Sequence, residues 1–239
     1  MVREKLIANK TGMKDYFKWR SHEVMRIEAF SDAVFAFAVT LLIVSLEVPE
    51  TFDQLLNTMS GFAAFAVSFT ILFQIWYSQY MFFRRYGLED KFTIFMSGVL
   101  LFLVLFYVYP LKFLFRLLFD MGQSHHSGAP SITQPQIPQL MIIYGAGFLL
   151  IYLVLMLMYY NAYKKRGELG LTEMEIFHTK SKMYAFSINI IVPLITIIVS
   201  LVIEPAKAGL AGFIYFLLGP IYSIFYSTRS RKYKKLFGA

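Results

Sequence analysis

The chain has no cysteine, which excludes disulfides and thiolate-ligated metal sites. Charge is scarce as well: 16% of the 239 residues are Asp, Glu, Lys or Arg, where a soluble domain carries about 25%. The adjacent His125 and His126 have no carboxylate or thiolate beside them, a poor donor set for a metal, so none is expected. No segment alternates apolar and polar residues with period two, the pattern a membrane barrel needs. No residues pair a nucleophile with a base, cradle a phosphate with glycines or set two carboxylates together, so the chain does not read as an enzyme.

What is present is apolar. Hydrophobic residues make up 57% of the chain, gathered into blocks of about 20, the length that crosses a hydrocarbon core of about 30 Å as a helix. The pattern predicts an all-α integral membrane protein with spans near 27–48, 57–83, 92–117, 138–163, 181–203 and 208–227. Pro110 and Pro193 fall inside apolar segments, where each breaks one backbone hydrogen bond and favours a kink. The basic N-terminus lacks the short apolar core and small-residue cleavage site of a signal peptide.

The net charge of +8 is explained by topology rather than by nucleic acid. Seven Lys and Arg precede or open the first span, three lie in the second loop, five in the fourth and five in the tail, so 20 of the 23 share one side. Only Lys112, Arg116 and Lys207 fall opposite. Basic residues stay on the cytoplasmic face, so six spans with both termini cytoplasmic are predicted. The divisions are a basic segment at 1–25, a six-helix domain at 26–228 and a basic tail at 229–239, the last suited to anionic lipid. Lys112 and Arg116 are expected to snorkel to the outer headgroups. Glu47, Glu50 and Asp53 crowd the first outer loop without a basic neighbour.

The first span, "RIEAFSDAVFAFAVTLLIVSLEVPE", opens on a charged cluster. Ala33, Phe37, Thr40 with Leu41, Val44 and Val48 recur at helical spacing. Ala29, Ala33, Ala36 and Thr40 form a small-residue stripe beside them. Such a stripe suits close helix contact. Arg26 can snorkel, but Asp32 lies about two turns in, and an ionisable residue at that depth faces a partner or water. Six residues apart, the two do not share a face, so partners on neighbouring helices are expected, and the cluster reads equally well as a structural lock.

Arg26, Phe30, Ser31 and Asp32, followed by "VFAFAVTLL" and the acidic-proline turn "LEVPE", resemble the signature of the transmembrane protein 175 family of potassium channels. The resemblance extends over the chain in span number and topology. It implies a homotetramer around a central pore lined by the first helix, with no "TVGYG" filter. A ring of bulky apolar side chains forms the constriction, and a hydroxyl ring lies nearby. By position in the motif these fall at Phe37, Thr40, Leu41 and Val44. The resemblance also implies a polar lock of Arg26, Ser31, Asp32, Trp76 and Gln79. Two positions depart from the pattern: Phe37 replaces a usual Ile or Leu, and Gln79 replaces a usual His and does not titrate.

The expected function is a potassium-preferring cation channel in a bacterial plasma membrane. It needs no cofactor beyond permeant potassium, and its partners are membrane lipids and monovalent cations. In this reading Phe37 and Leu41 gate by dewetting, Thr40 hydroxyls replace part of the ion's water, and the outer acids Glu47, Glu50 and Asp53 concentrate cations. The alternative is a proton-coupled secondary transporter using Asp32. The absence of an evident internal repeat weakens that alternative.

Overall fold

The structure is a computed structural model, and its described residues are 17–21, 23–44, 51–52, 55–56, 59, 62–120 and 133–238. Six α-helices account for most of them: α1 Arg26–Val44, α2 Phe62–Tyr86, α3 Lys91–Asp120, α4 Ile137–Lys164, α5 Glu173–Val202 and α6 Leu218–Phe237. Short 3₁₀ turns run over Gln134–Gln136 before α4, and a longer 3₁₀ segment over Pro205–Leu217 precedes α6. Among the described residues there is no strand.

Four stretches are long and apolar enough to cross a membrane: Lys91–Leu114, Gln134–Lys164, Glu173–Val202 and Ala211–Phe237. The two helices outside that set, α1 and α2, concentrate polar groups. Glu28, Ser31 and Asp32 open α1, while Gln74, Ser78 and Gln79 lie midway along α2. These are also the helices that face each other at the candidate site.

Connections follow local chemistry. Gly87 ends α2 in the left-handed region at φ +57°, a conformation only glycine adopts cheaply, and its N–H donates to Phe83 O at 2.9 Å. A Cβ at Gly87 would also meet the Arg20 carbonyl at 3.5 Å. Asp90 then anchors the start of α3. Its carboxylate accepts from Thr93 Oγ1 at 2.6 Å and Asn161 Nδ2 at 3.2 Å, and pairs with Lys165 Nζ at 3.3 Å.

Helix α5 begins eight residues before the span predicted at 181–203. Thr172 explains the difference. Its hydroxyl accepts from Glu175 N at 3.3 Å and its N–H donates to Glu175 Oε2 at 2.9 Å, a reciprocal cap that starts a helix in polar sequence. The sixth span also differs. Its first half is 3₁₀ rather than α, through a stretch containing Gly209 and Gly212 with weak α preference. Its second half continues helical to Phe237, through most of the predicted tail. Arg229 holds that extension, donating to Ser181 Oγ at 2.9 Å and lying 4.3 Å over the Phe177 ring.

The core runs through α1 to α5 and includes Leu42, Leu72, Phe82, Leu100, Ile151, Leu155 and Tyr159, all fully buried. Helices α4 and α5 form the most extensive pair. Small residues permit such approach where no water drives association. A Cβ on Gly145 would meet Ile197 Cγ1 at 2.7 Å, and one on Gly147 would meet the Tyr107 ring at 2.3 Å. Tyr107 donates to Tyr144 O at 3.2 Å, and Tyr144 donates to the Pro110 carbonyl.

Candidate functional site

Helix α1 packs on α2 and α3, and among the described residues on no later helix. Its two faces are therefore unlike. Glu28, Ser31, Phe35, Ala38 and Leu42 recur every three or four residues and are buried. Arg26, Ala29, Phe30, Ala33, Ala36, Phe37 and Thr40 form the opposite face and are exposed, Phe37 at 57%. Leu41 lies between the faces, half-buried against the core. Val44 closes the helix.

The exposed face carries one hydroxyl. Thr40 Oγ1 lies 2.8 Å from Ala36 O and 3.0 Å from Phe37 O. Its single proton is committed to the helix backbone, as is usual for a helical threonine. The oxygen lone pairs remain free to accept from water or to face a cation.

Helices α1 and α2 join through three polar rungs, two on the buried face and one at exposed Asp32. Glu28 Oε1 pairs with Arg84 Nε at 3.5 Å, Gln79 Nε2 donates to Ser31 Oγ at 3.3 Å, and Trp76 Nε1 donates to Asp32 Oδ1 at 2.7 Å. Ascending α1 from 28 to 32 descends α2 from 84 to 76, so the helices are antiparallel here. Ser31 Oγ donates onward to Ile27 O at 2.8 Å. Gln79 is 1% exposed and its Oε1 has no partner among the described residues.

Four of the five residues expected to form a polar lock thus meet: Ser31, Asp32, Trp76 and Gln79. Arg26 stands apart. Six residues before Asp32, it lies on the exposed face with Phe30 and Ala33, and no partner for its guanidinium occurs among the described residues. Glu28 and Arg84 take the charged rung instead. Antiparallel pairing was the signal for this, because it sets the basic end of α2 level with the acidic start of α1.

The far end of α1 is also tied. Lys112 Nζ donates to Leu42 O at 2.8 Å, one of the carbonyls a helix C-terminus leaves unsatisfied. Lys112, expected at the outer headgroups, thus also caps the end of α1. The acids Glu47, Glu50 and Asp53 lie outside the described residues, as do His125 and His126. Among the described residues no group of three His, Asp or Glu could hold a metal.

At the entry to α1, Arg20 gathers four elements. Its guanidinium meets Glu175 through Nη1 at 2.9 Å and Nη2 at 2.8 Å, and donates from Nε to Leu169 O at 2.9 Å. It also reaches Arg85 O at 3.3 Å. Glu175 further accepts from Lys18 N at 2.8 Å. The segment before α1 is thereby fixed to the α2 end and the α4–α5 turn, which composition and spacing gave no means to foresee.

The described residues thus form an apolar helical bundle whose first helix is locked on one face and bare on the other. Residues 26–107 match the family model for the endosomal/lysosomal potassium channel TMEM175. A protein of Marivirga tractuosa described as a potassium channel is 40% identical over 243 residues, covering 97% of this chain and 98% of that protein. A potassium channel of Chamaesiphon minutus is 34% identical over 96 residues, 37% of this chain and 47% of that protein. The crystal structure of a threonine-to-alanine variant of the potassium channel MtTMEM175, in complex with a nanobody–MBP fusion, superposes with a TM-score of 0.80 at 40% identity. It covers 92% of this chain and 99% of that one. A lysosomal potassium-selective channel TMEM175 homolog from Chamaesiphon minutus superposes at 0.55 with 25% identity, over 83% of this chain and 95% of that one. The chain belongs to the TMEM175 family.

Proposed function

We propose that the protein is one subunit of a homotetrameric, potassium-preferring cation channel of the bacterial plasma membrane. Six helices span the membrane, both termini are cytoplasmic, and the exposed face of α1 lines a central pore. One observation carries this reading. The face bearing Phe37 and Thr40 has no helix packed on it among the described residues, while the buried face is fastened by the Glu28–Arg84 and Gln79–Ser31 rungs and by Lys112. Relatives described as potassium channels support the choice of ion.

Phe37 supplies the bulky apolar ring, which conducts while wetted and closes when narrowed enough to dewet. One turn on, the Thr40 lone pairs stand in for part of the water an ion sheds there. Potassium sheds water more readily than sodium, so the preference is for potassium. It stays modest without a ring of backbone carbonyls. Leu41 and Val44 continue the apolar lining, and Glu47, Glu50 and Asp53 raise cation concentration at the outer mouth.

The test is a recording from purified protein in planar bilayers under bi-ionic potassium/sodium conditions. Discrete openings with a reversal potential favouring potassium are expected. Silence in bilayers, together with proton-dependent uptake into liposomes, would overturn the channel reading in favour of transport through Asp32.

A further inference from the structure

Away from α1, helices α2 and α6 do not touch each other among the described residues. Between them lies a cavity of about 160 Å³, floored by α4 and α5 and half open to the outside. Its polar lining is Gln74 and Ser78 from α2, Lys182 and Asn189 from α5, and Tyr222 and Tyr226 from α6. A cavity of this size with several polar groups is roomy enough for more than one water.

Charge in this region is uncompensated. No carboxylate pairs with Lys182 among the described residues. Arg85 is close enough to Lys182 for the two cations to repel. Arg85 has no carboxylate partner either: its Nε is buried without a hydrogen-bond acceptor, and its guanidinium lies 5.1 Å over the Phe17 ring. Cations withdrawn from water are ordinarily paired, and Lys182, half-buried at the cavity without a carboxylate, can take an anion there.

The surroundings indicate where the anion comes from. Lys182 sits at the start of the predicted fifth span, on the side of Arg84, Arg85 and the basic end of α6. Phe73 and Tyr77 on α2 and Ile224 on α6 are exposed apolar side chains of the two helices that border the cavity, a surface suited to acyl chains. We propose that the cavity takes the phosphate of an anionic phospholipid from the leaflet on that side. Lys182 Nζ is the counter-charge, and the Gln74 amide and the Tyr226 hydroxyl supply hydrogen bonds. The lipid headgroup then fills the gap between α2, which carries the polar rungs to α1, and α6. The assignment rests on the membrane placement of the helices and not on potassium conduction.

Binding can be read without any flux. Lipid-depleted protein in detergent is incubated with phosphatidylglycerol, with phosphatidylcholine of the same chains, or with inorganic phosphate. Bound lipid is counted by native mass spectrometry. Phosphatidylglycerol should be retained about tenfold more tightly than phosphatidylcholine, the scale of one charge-assisted hydrogen bond. Lys182→Gln should remove that preference and Lys182→Arg should keep it. Tyr226→Phe, which leaves the ring packing in place, should weaken retention several-fold. Equal retention of the two lipids, or a preference unchanged in both Lys182→Gln and Tyr226→Phe, would overturn the proposal. Displacement of phosphatidylglycerol by inorganic phosphate at equal concentration would assign the cavity to a soluble anion and overturn it too.

Discussion

Trp76 Nε1 donates to Asp32 Oδ1 at 2.7 Å across the α1–α2 interface, which makes an indole of the second helix the direct partner of the carboxylate in the first. A hydrogen bond to a charged group contributes about 1.5–3 kcal/mol when buried, and less here because Asp32 is exposed. Trp76→Phe should lower stability in detergent by about 1 kcal/mol beyond the packing loss. Asp32→Asn in the same background should add little, and a double-mutant cycle on thermal midpoints checks the coupling. Independent losses from the two changes would show that the pair is not a unit.

Thr40→Val keeps much of the side-chain shape but removes the hydroxyl on the exposed face of α1. The potassium preference should fall by about fivefold, the equivalent of about 1 kcal/mol, with conductance retained. Bi-ionic reversal potentials measure this directly. An unchanged ratio would remove Thr40 from the selectivity mechanism.

Arg20 is 15% exposed and its partner Glu175 only 2%. Removing one member of a pair so enclosed leaves a buried charge, at a cost of about 3 kcal/mol. Arg20→Ala should therefore destabilise strongly, and adding Glu175→Gln should recover part of the loss. Arg20→Lys should behave more like Ala than like Arg, because an ammonium cannot span both carboxylate oxygens and the Leu169 carbonyl. Thermal unfolding of the three variants decides it.

Burial tends to raise the Asp90 carboxyl, but hydrogen bonds from Thr93 and Asn161 and the Lys165 ammonium outweigh it, holding Asp90 below its ordinary value of 3.8. A carboxylate lowered on folding contributes stability that is fully present above its unfolded value and is lost as pH falls through the folded one. Asp90 should thus make no difference to the pH dependence from pH 7 down to the unfolded value, then contribute to acid destabilisation below it. Asp90→Asn should flatten that lower part of the profile while reducing stability at neutral pH. Unfolding midpoints at stepped pH provide the measurement.

Gly147→Ala places a methyl 2.3 Å from the Tyr107 ring, and overpacking of this kind costs about 1–3 kcal/mol. Gly98→Ala, where nothing lies within 4 Å, is the control and should be neutral or slightly stabilising. Equal thermal midpoints for the two variants would show that α3 and α4 can separate freely.

The sequence alone determined the all-helical membrane class, because apolar blocks of spanning length are a local property that needs no partner to be read. Helix boundaries were legible to the extent that they coincide with the apolar edge. They were missed where a polar cap or a tertiary contact extends a helix, as at Thr172 before α5 and Arg229 beyond the sixth span. The polar residues of α1 were legible as a cluster, since charge inside an apolar run is conspicuous. Their pairing was only partly so. Which carboxylate meets which cation depends on the register of two antiparallel helices, and that register gave Arg84 to Glu28 and left Arg26 exposed. The hub at Arg20, the tie from Lys112 to Leu42 and the cavity around Lys182 join residues tens of positions or more apart. Only tertiary packing sets such distances, because a side chain's partner is decided by where the chain returns and not by what stands next to it.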